Sequence, residues 1–228
     1  MTSPREQILA RIRDGLLRAG LPAPTSEPTD RRLASDPSAA RPAMVEQFSA
    51  ALTGLSGKTH RASGTEAIAD IIAAIAQAHR VTSFISWDED HLGCPGILAA
   101  LSSRGLARVT YDVSGDPERR LRDVEAMASI GLGITGVHAA LAENAGLVLV
   151  SGPGRGRLPS LLPPVHVALV QERRLRLSLA GLLREEPGLL DAGSNVVVVA
   201  GPSRTADIEM TLTHGVHGPK YVHVILTT

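Results

Sequence analysis

Helix-like and strand-like hydrophobic patterns alternate along residues 43–228, and this alternation constrains the fold more than any other feature. Residues 64–79 repeat isoleucine at helical spacing, and the apolar run at 81–86 that follows has the length of a buried strand. The same succession predicts further strands at 108–111, 130–134, 147–151, 165–170, 195–200 and 221–226, and helices after Pro95, at 117–128 and at 137–143. Such a chain is expected to form an α/β domain of three α/β/α layers with a mainly parallel sheet, whose ligands lie beyond the carboxyl ends of the strands.

Two segments precede this domain. Residues 1–20 combine a capping Ser3 and a Glu6 three residues later with an apolar stripe, which predicts an amphipathic N-terminal helix. Its apolar face must be covered by the body of the protein or by another subunit, which allows a homo-oligomer. Residues 21–42 hold five prolines among polar residues and are expected to form a mobile linker, which leaves 43–228 as the α/β domain.

Charge and composition exclude several classes of protein. Lys plus Arg and Asp plus Glu number 23 each and are interspersed, so no positive field is available to attract nucleic acid. The polar N-terminus lacks the apolar core of a signal peptide, and no apolar run reaches the roughly 18 residues of a membrane span, so a cytoplasmic location without membrane contact is expected.

Cys94 is the only cysteine, so the chain is not expected to hold an iron–sulfur cluster of its own. The thiol stands ahead of a predicted helix, where it is either activated by the helix N-terminus or a buried bystander. His214, His217 and His223 belong to unrelated local elements, so no metal site is expected from them.

A strand, a tight turn and the start of a helix are predicted across residues 195–209. Backbone N–H groups at a helix N-terminus bind anions, and Ser203, Arg204 and Thr205 would add two hydroxyls and a bidentate donor for a carboxylate or phosphate. Alternatively these residues cap the helix, with Arg204 paired to Asp207. The sequence leaves both interpretations open.

The loop at 152–157 follows another predicted strand and offers Gly152, Arg155 and Arg157, which suit the same kind of anion or keep a surface loop solvated. If both strands are parallel, this loop and Ser203 lie on the same side of the sheet. The turn at 215–220 precedes the last strand and is therefore expected at the opposite end, as a turn, second site or interface.

Two long motifs carry a family resemblance. Residues 201–209 read Gly-Pro-Ser-Arg-Thr-Ala-Asp-Ile-Glu and residues 215–219 read Gly-Val-His-Gly-Pro, which resembles the C-terminal signature of the lactate utilisation protein C family, of the LUD-domain type. The resemblance implies a NagB/RpiA/CoA-transferase-like fold and a role in oxidising L-lactate to pyruvate alongside iron–sulfur partner proteins. It adds Gly201 and Asp207 to the candidate ligand site. It assigns His217, Gly218, Pro219 and Lys220 to the second motif or interface.

One position departs from the family pattern. Where the family usually shows a Gly-Thr pair, this chain has Asn144-Ala145-Gly146 after Glu143. In superfamily relatives a glutamate acts as nucleophile or base, so the resemblance makes Glu143, at the end of the predicted helix 137–143, the candidate catalytic residue.

The expected function is that of the component without a cluster in lactate oxidation, supplying a cavity for a small anion while the partners carry the redox centres. Two alternatives remain. An independent isomerase or acyl/CoA-transfer enzyme would turn over sugar phosphates or acyl-CoA, and a ligand-sensing or scaffold subunit would bind a ligand without turnover.

Overall fold

The computed structural model describes residues 4–18, 41–110, 121–122, 127, 129–206, 212–215 and 217–228. The chain divides into two units, residues 1–35 and residues 36–228. In the first unit, helix α1 (Pro4–Arg18) begins at the proline that the sequence places at its first turn. Most of the predicted linker, residues 19–40, lies outside the described residues.

The described part of the second unit contains five α-helices and twelve strands. The helices are α2 (Arg41–Gly54), α3 (Thr65–Ala78), α4 (Ile97–Ser103), α5 (Leu158–Leu161) and α6 (Leu179–Glu185). The first six strands are β1 (Lys58–Ala62), β2 (Ser83–Ser86), β3 (Ala107–Arg108), β4 (Leu132–Thr135), β5 (Ala139–Leu141) and β6 (Gly146–Ser151). The other six are β7 (Val165–Gln171), β8 (Leu175–Arg176), β9 (Asn195–Ala200), β10 (Arg204–Ala206), β11 (Leu212–His214) and β12 (Tyr221–Thr227).

A six-stranded sheet in the order β1-β12-β7-β4-β2-β3 forms the centre of the second unit, and its strands are parallel. Residues 165–170 of the inner strand β7 are all buried, which explains their uninterrupted apolar pattern. Val165 pairs with Tyr221 on one side and with Leu132 on the other, so the amino ends of three strands are level. The predicted α/β fold with a mainly parallel sheet is confirmed.

Helices cover both faces of this sheet. Phe84 of β2 belongs to the main core together with buried residues of α3 and α4, whereas its neighbour Ile85 points to the other face and packs near Leu158 of α5. At Gly133 of β4 a side-chain carbon would collide with the carbonyl oxygen of Pro159 in α5. Glycine is therefore needed for the close packing of this helix on the strand.

A second sheet, in the order β8-β5-β6-β9, packs Leu147 and Leu149 against the main core and Val148 and Val150 against a smaller cluster that includes Leu182 of α6. The predicted helix at 137–143 is wrong, because residues 139–141 form strand β5. This short apolar run fits either structure, and antiparallel pairing with β6 decides the outcome.

The helix predicted to begin after β9 is also wrong within the described residues. The chain there forms β10, which pairs antiparallel with β11, so Arg204 stands opposite His214. The helix predicted at 117–128 falls largely outside the described residues. Among the described residues no helix is long and apolar enough to cross a membrane.

Candidate functional site

A cavity of about 190 Å³ lies at the carboxyl ends of the parallel strands β2, β4 and β7. We call it the arginine cavity, because Arg155, Arg173 and Arg174 all line it. Trp87, which follows β2, and His138, which follows β4, also contribute to its wall. The position agrees with the rule that ligands of parallel sheets sit beyond the carboxyl ends of the strands.

The loop at 152–157, which follows β6, is held over the end of β2 by two hydrogen bonds. The indole Nε1 of Trp87 donates to the carbonyl of Gly156 at 2.8 Å, and the backbone N–H of Asp88 donates to the carbonyl of Gly154 at 2.9 Å. Within the loop, Gly152 and Arg155 exchange backbone hydrogen bonds of 3.3 and 3.0 Å. Arg155 is thereby carried on a fixed turn.

The end of β4 makes a second close approach. A side-chain carbon at Gly136 would collide with the backbone carbonyl of His91, which belongs to the short 3-10 helix Glu89–His91. The small residue lets this helix pack directly against the chain between β4 and β5. Gly136 therefore helps to set the shape of the cavity wall.

Arg155 is the most informative side chain of the cavity. Its Nε is buried and has no hydrogen-bond partner among the described residues. A buried donor left unsatisfied costs about 1–3 kcal/mol, so such groups in folded proteins usually face a water or a ligand. Arg155 also lines the cavity, so its guanidinium group is in a position to bind an acceptor that enters.

Arg173 and Arg174 come directly after β7, in the 3-10 helix Glu172–Arg174. The side-chain oxygen of Gln171 accepts from Nη2 of Arg173 at 3.0 Å and from Nε of Arg174 at 3.4 Å, and Nη1 of Arg174 donates to the carbonyl of His138 at 3.0 Å. Burial, and next the charge of Arg173, lower the pKa of Arg174. Arg174 is partly desolvated and is repelled by the charge of Arg173, so a bound anion would stabilise it.

His138 also has a charged partner. Its Nε2 lies 2.7 Å from Oε2 of Glu186, the residue that follows α6. Asp90, which is exposed, adds one carboxylate to the wall. The three arginines outnumber this carboxylate, so the lining is predominantly basic.

The glycines of the loop at 152–157 line a second cavity, of about 310 Å³, together with Ser86 and Arg108. Arg108 donates from Nε to the hydroxyl of Ser86 at 3.1 Å and pairs through Nη2 with Asp88 at 3.0 Å. Its charge is therefore satisfied within the protein, unlike the Nε of Arg155. The predicted ligand residues Gly152 and Arg155 thus border neighbouring cavities, whereas Arg157 is exposed and lines neither.

Ser203 does not lie on the same side as this loop, contrary to the sequence-based expectation. Strand β9 runs antiparallel to β6, with Asn195 opposite Ser151 and Ala200 opposite Gly146, so the turn after β9 is at the far end of the second sheet. The expectation assumed parallel strands. Antiparallel pairing reverses the end at which the turn emerges.

The turn at 215–220 lies beside Ser203 rather than away from it. The N–H of Ser203 donates to the carbonyl of Pro219 and the N–H of Gly215 donates to the carbonyl of Ser203, both at 2.9 Å, while the N–H of His217 approaches the Ser203 hydroxyl at 3.4 Å. The expected separation is wrong because β9 belongs to the second sheet, and the described residues that follow it form the strand pair β10 and β11. The two family motifs therefore meet at the amino end of β12.

Other predicted ligand residues of this region have different surroundings. Gly201 is buried with a φ of 69° and packs near Leu55, whereas Arg204 is exposed. Thr205 continues β10, and Asp207 lies outside the described residues. The anion-binding role of these residues remains a prediction.

Glu143 is exposed in the turn between β5 and β6 and lines neither the arginine cavity nor the cavity beside Arg108. In the same turn, the side-chain oxygen of Asn144 accepts from the N–H of Gly146 at 3.0 Å, and Ala145 takes a φ of 53°. The helix end that favoured a functional Glu143 is absent, and its catalytic role remains a prediction.

Cys94 is buried and 3.6 Å from the hydroxyl of Thr65, and burial raises the pKa of its thiol. This environment favours a buried, unreactive cysteine over an activated nucleophile. His223, one of the three C-terminal histidines, lies near His60 and His79. No group of three His, Cys, Asp or Glu residues within the described ranges is arranged to hold a metal ion.

Sequence reasoning missed His138, Gln171, Arg173 and Arg174. Two arginines directly after the apolar run at 165–170 were a usable signal, because that run is a strand and its carboxyl end faces the ligand side. His138 had no such signal, since it lay inside a segment predicted as a helix.

Comparison with known proteins places these motifs in a family. The sequence profile of the LUD domain matches residues 45–227. The lactate utilization protein C of Halalkalibacterium halodurans is 32% identical over 149 residues, which cover 64% of this chain and 62% of that protein. The lactate utilization protein C of Exiguobacterium sp. is 38% identical over 117 residues, which cover 50% of each. The chain thus spans less than two thirds of the length of either relative.

The crystal structure of a DUF162 family protein from Deinococcus radiodurans has the same fold, with a TM-score of 0.58 and 17% identity over 82% of this chain and 98% of that one. The profile match extends from α2 to β12 and includes both C-terminal motifs. The family predicted from those motifs is confirmed: the chain belongs to the LUD domain family.

Proposed function

We propose that this chain is a component of lactate utilisation that binds a small carboxylate in the arginine cavity. The observation that carries the proposal is the buried Nε of Arg155, which has no hydrogen-bond partner among the described residues. A guanidinium group presents its donors in a planar fork that matches the two oxygens of a carboxylate. A carboxylate would satisfy the donor and would neutralise part of the charge of Arg173 and Arg174.

The size of the cavity supports a ligand of this class. At roughly 30 Å³ for each water molecule, 190 Å³ corresponds to about six waters. L-lactate and pyruvate each have six non-hydrogen atoms, so this space admits a ligand of their size. Relatives named lactate utilization protein C add independent support.

The redox step itself would belong to partner proteins. The chain has one cysteine, Cys94, and a cluster held by four thiolates needs more. We therefore propose that iron–sulfur proteins of lactate utilisation receive the electrons while this chain holds the carboxylate. The alternative of an independent enzyme that uses Glu143 has less support, because this side chain lines none of the cavities described above.

Arg155→Lys tests the site, with Arg157→Lys as the matched control on the same loop. Lysine keeps the charge but lacks the fork, so affinity for L-lactate, pyruvate or inorganic phosphate should fall roughly ten- to a hundredfold, equivalent to about 1.5–3 kcal/mol. Arg157→Lys should bind like the wild type, since Arg157 is exposed and lines neither neighbouring cavity. Isothermal titration calorimetry measures the affinities of the wild type, Arg155→Lys and Arg157→Lys.

Arg204→Lys separates this proposal from the site predicted from sequence. If the turn after β9 held the anion, this variant would lose affinity and Arg155→Lys would not. That result, or the absence of measurable binding of all three anions to the wild-type chain, would refute the arginine cavity as the site.

A further inference from the structure

The histidine–glutamate pair of the arginine cavity has a fixed geometry. His138 is held through its backbone, since its N–H donates to the carbonyl of Val148 at 2.8 Å and its carbonyl accepts from Arg174 at 3.0 Å. Glu186 is fixed in turn by its own N–H, which donates to the carbonyl of Leu182 at 2.8 Å. The 2.7 Å contact between Nε2 and the carboxylate therefore joins two anchored residues.

This contact determines which nitrogen of the imidazole is available. A carboxylate can only accept a hydrogen bond, so Nε2 carries the proton that is donated to Glu186. In the neutral ring Nδ1 then keeps its lone pair and is an acceptor. No described residue donates to Nδ1, which leaves it available to a ligand.

The other polar groups of the cavity are mostly donors. Arg155, Arg173 and Arg174 offer only N–H groups, and the side-chain oxygen of Gln171 already accepts from two of these arginines. The remaining side-chain acceptors are His138, the exposed Asp90 and His91. A ligand that carries both a carboxylate and a hydroxyl would match this distribution, with the carboxylate on the arginines and the hydroxyl proton on an imidazole.

We infer that the cavity selects 2-hydroxycarboxylates over 2-oxocarboxylates, with Nδ1 of His138 accepting a hydrogen bond from the 2-hydroxyl and Glu186 as the positioning residue. The inference rests on the proposed carboxylate site. A 2-oxo group has no proton to donate, so it cannot use the same acceptor. Both ligands share the interaction with Arg155, and the discrimination comes from a single neutral hydrogen bond.

The test compares the affinities of L-lactate, pyruvate and propionate, which share a carboxylate and differ at carbon 2. The wild-type chain should bind L-lactate roughly fivefold more tightly than propionate or pyruvate, the effect of one neutral hydrogen bond. His138→Leu should remove that preference, so that this variant binds L-lactate no more tightly than propionate. His138→Asn should restore part of it, because an amide oxygen can accept the hydroxyl proton.

Two matched controls show whether the effect belongs to this pair. His91→Leu makes the same substitution at the other histidine of the cavity and should keep the preference for L-lactate. Glu186→Gln should weaken the preference, since an amide can donate to Nε2 and permit the other tautomer, whereas Glu185→Gln breaks only the ion pair with Arg176 and should not.

The outcomes separate this inference from the proposed function. Equal binding of all three ligands to the wild type, with the loss in Arg155→Lys intact, would overturn the selectivity and leave the carboxylate site in place. A preference for L-lactate that disappears in His91→Leu and survives in His138→Leu would also overturn it. If no carboxylate binds the wild type, the inference fails together with the site on which it rests.

Discussion

At the scale of single residues, burial affects one arginine and two histidines of this protein. Arg155 is charged and has a donor without a partner, as expected where a ligand enters. His166 and His223 are buried histidines within β7 and β12, away from the arginine cavity. The Nε2 of His166 contacts the hydroxyl of Thr135 at 2.9 Å, while its buried Nδ1 has no partner among the described residues. His223 contacts His60 at 3.0 Å.

The two histidines predict a loss of stability in acid. Burial lowers the pKa of His166 to about 4, and burial followed by the charges of His60, Lys58 and His79 lowers that of His223 to about 4, both from 6.5. At pH values between about 4 and 6.5 the unfolded chain binds more protons than the folded one, so the free energy of unfolding rises with pH. Stability should therefore fall as the pH decreases from about 6.5 to about 4.

Chemical denaturation at a series of pH values measures this slope. Histidine ring signals in NMR spectra provide a second measurement, in which both rings should stay neutral down to about pH 4. Protonation of either ring near pH 6.5 in the folded protein would contradict the prediction for that residue.

At the scale of elements, the packing of short helices on strands depends on glycine. Helix α5 has four residues and lies so close to β4 that the carbonyl of Pro159 occupies the space of a side chain at Gly133. This contact covers one face of the sheet near the loop that carries Arg155. A larger residue at Gly133 would have to displace backbone, which cannot move as easily as a side chain.

Gly133→Ala should accordingly destabilise the protein by roughly 1–3 kcal/mol or more, as overpacking of a core does. Gly54→Ala is the matched control, because Gly54 ends helix α2 and has open space around it. This second change should be neutral or stabilise by up to about 1 kcal/mol through the helix preference of alanine. Equal unfolding midpoints for the two variants in urea would contradict the close packing of α5 on β4.

At the scale of the whole molecule, the second unit separates its two candidate regions. The arginine cavity is at the carboxyl ends of the parallel strands, and the two family motifs meet at the amino end of β12.

Lactate oxidation should require both this chain and its proposed partners. With L-lactate and an artificial electron acceptor, the chain alone should reduce no dye, whereas a mixture with iron–sulfur proteins of lactate utilisation should. Arg155→Lys should lower the rate of dye reduction by the mixture, because carboxylate binding is weakened. Dye reduction by the purified chain alone would contradict the assignment of the redox step to partner proteins. An equal rate of dye reduction by the partners without this chain would contradict the requirement for it.

The sequence alone determined the elements whose pattern is complete within one segment. The buried strands β2, β7 and β12 and the helix α3 were predicted close to their observed bounds, because an uninterrupted apolar run or a helical repeat fixes local structure. The motifs at 201–209 and 215–219 identified the family for the same reason, since they are contiguous.

Only the tertiary structure decided the identity of β5, the direction of β9 and the composition of the cavity. A hydrophobic pattern records which residues are buried, but it carries no information on which strand will be the neighbour or whether that strand runs parallel or antiparallel. Arg155, Arg173 and His138 come from three separate segments and meet because β6, β7 and β4 end at one place. Strand pairing between distant segments, and not local propensity, brings these charges together.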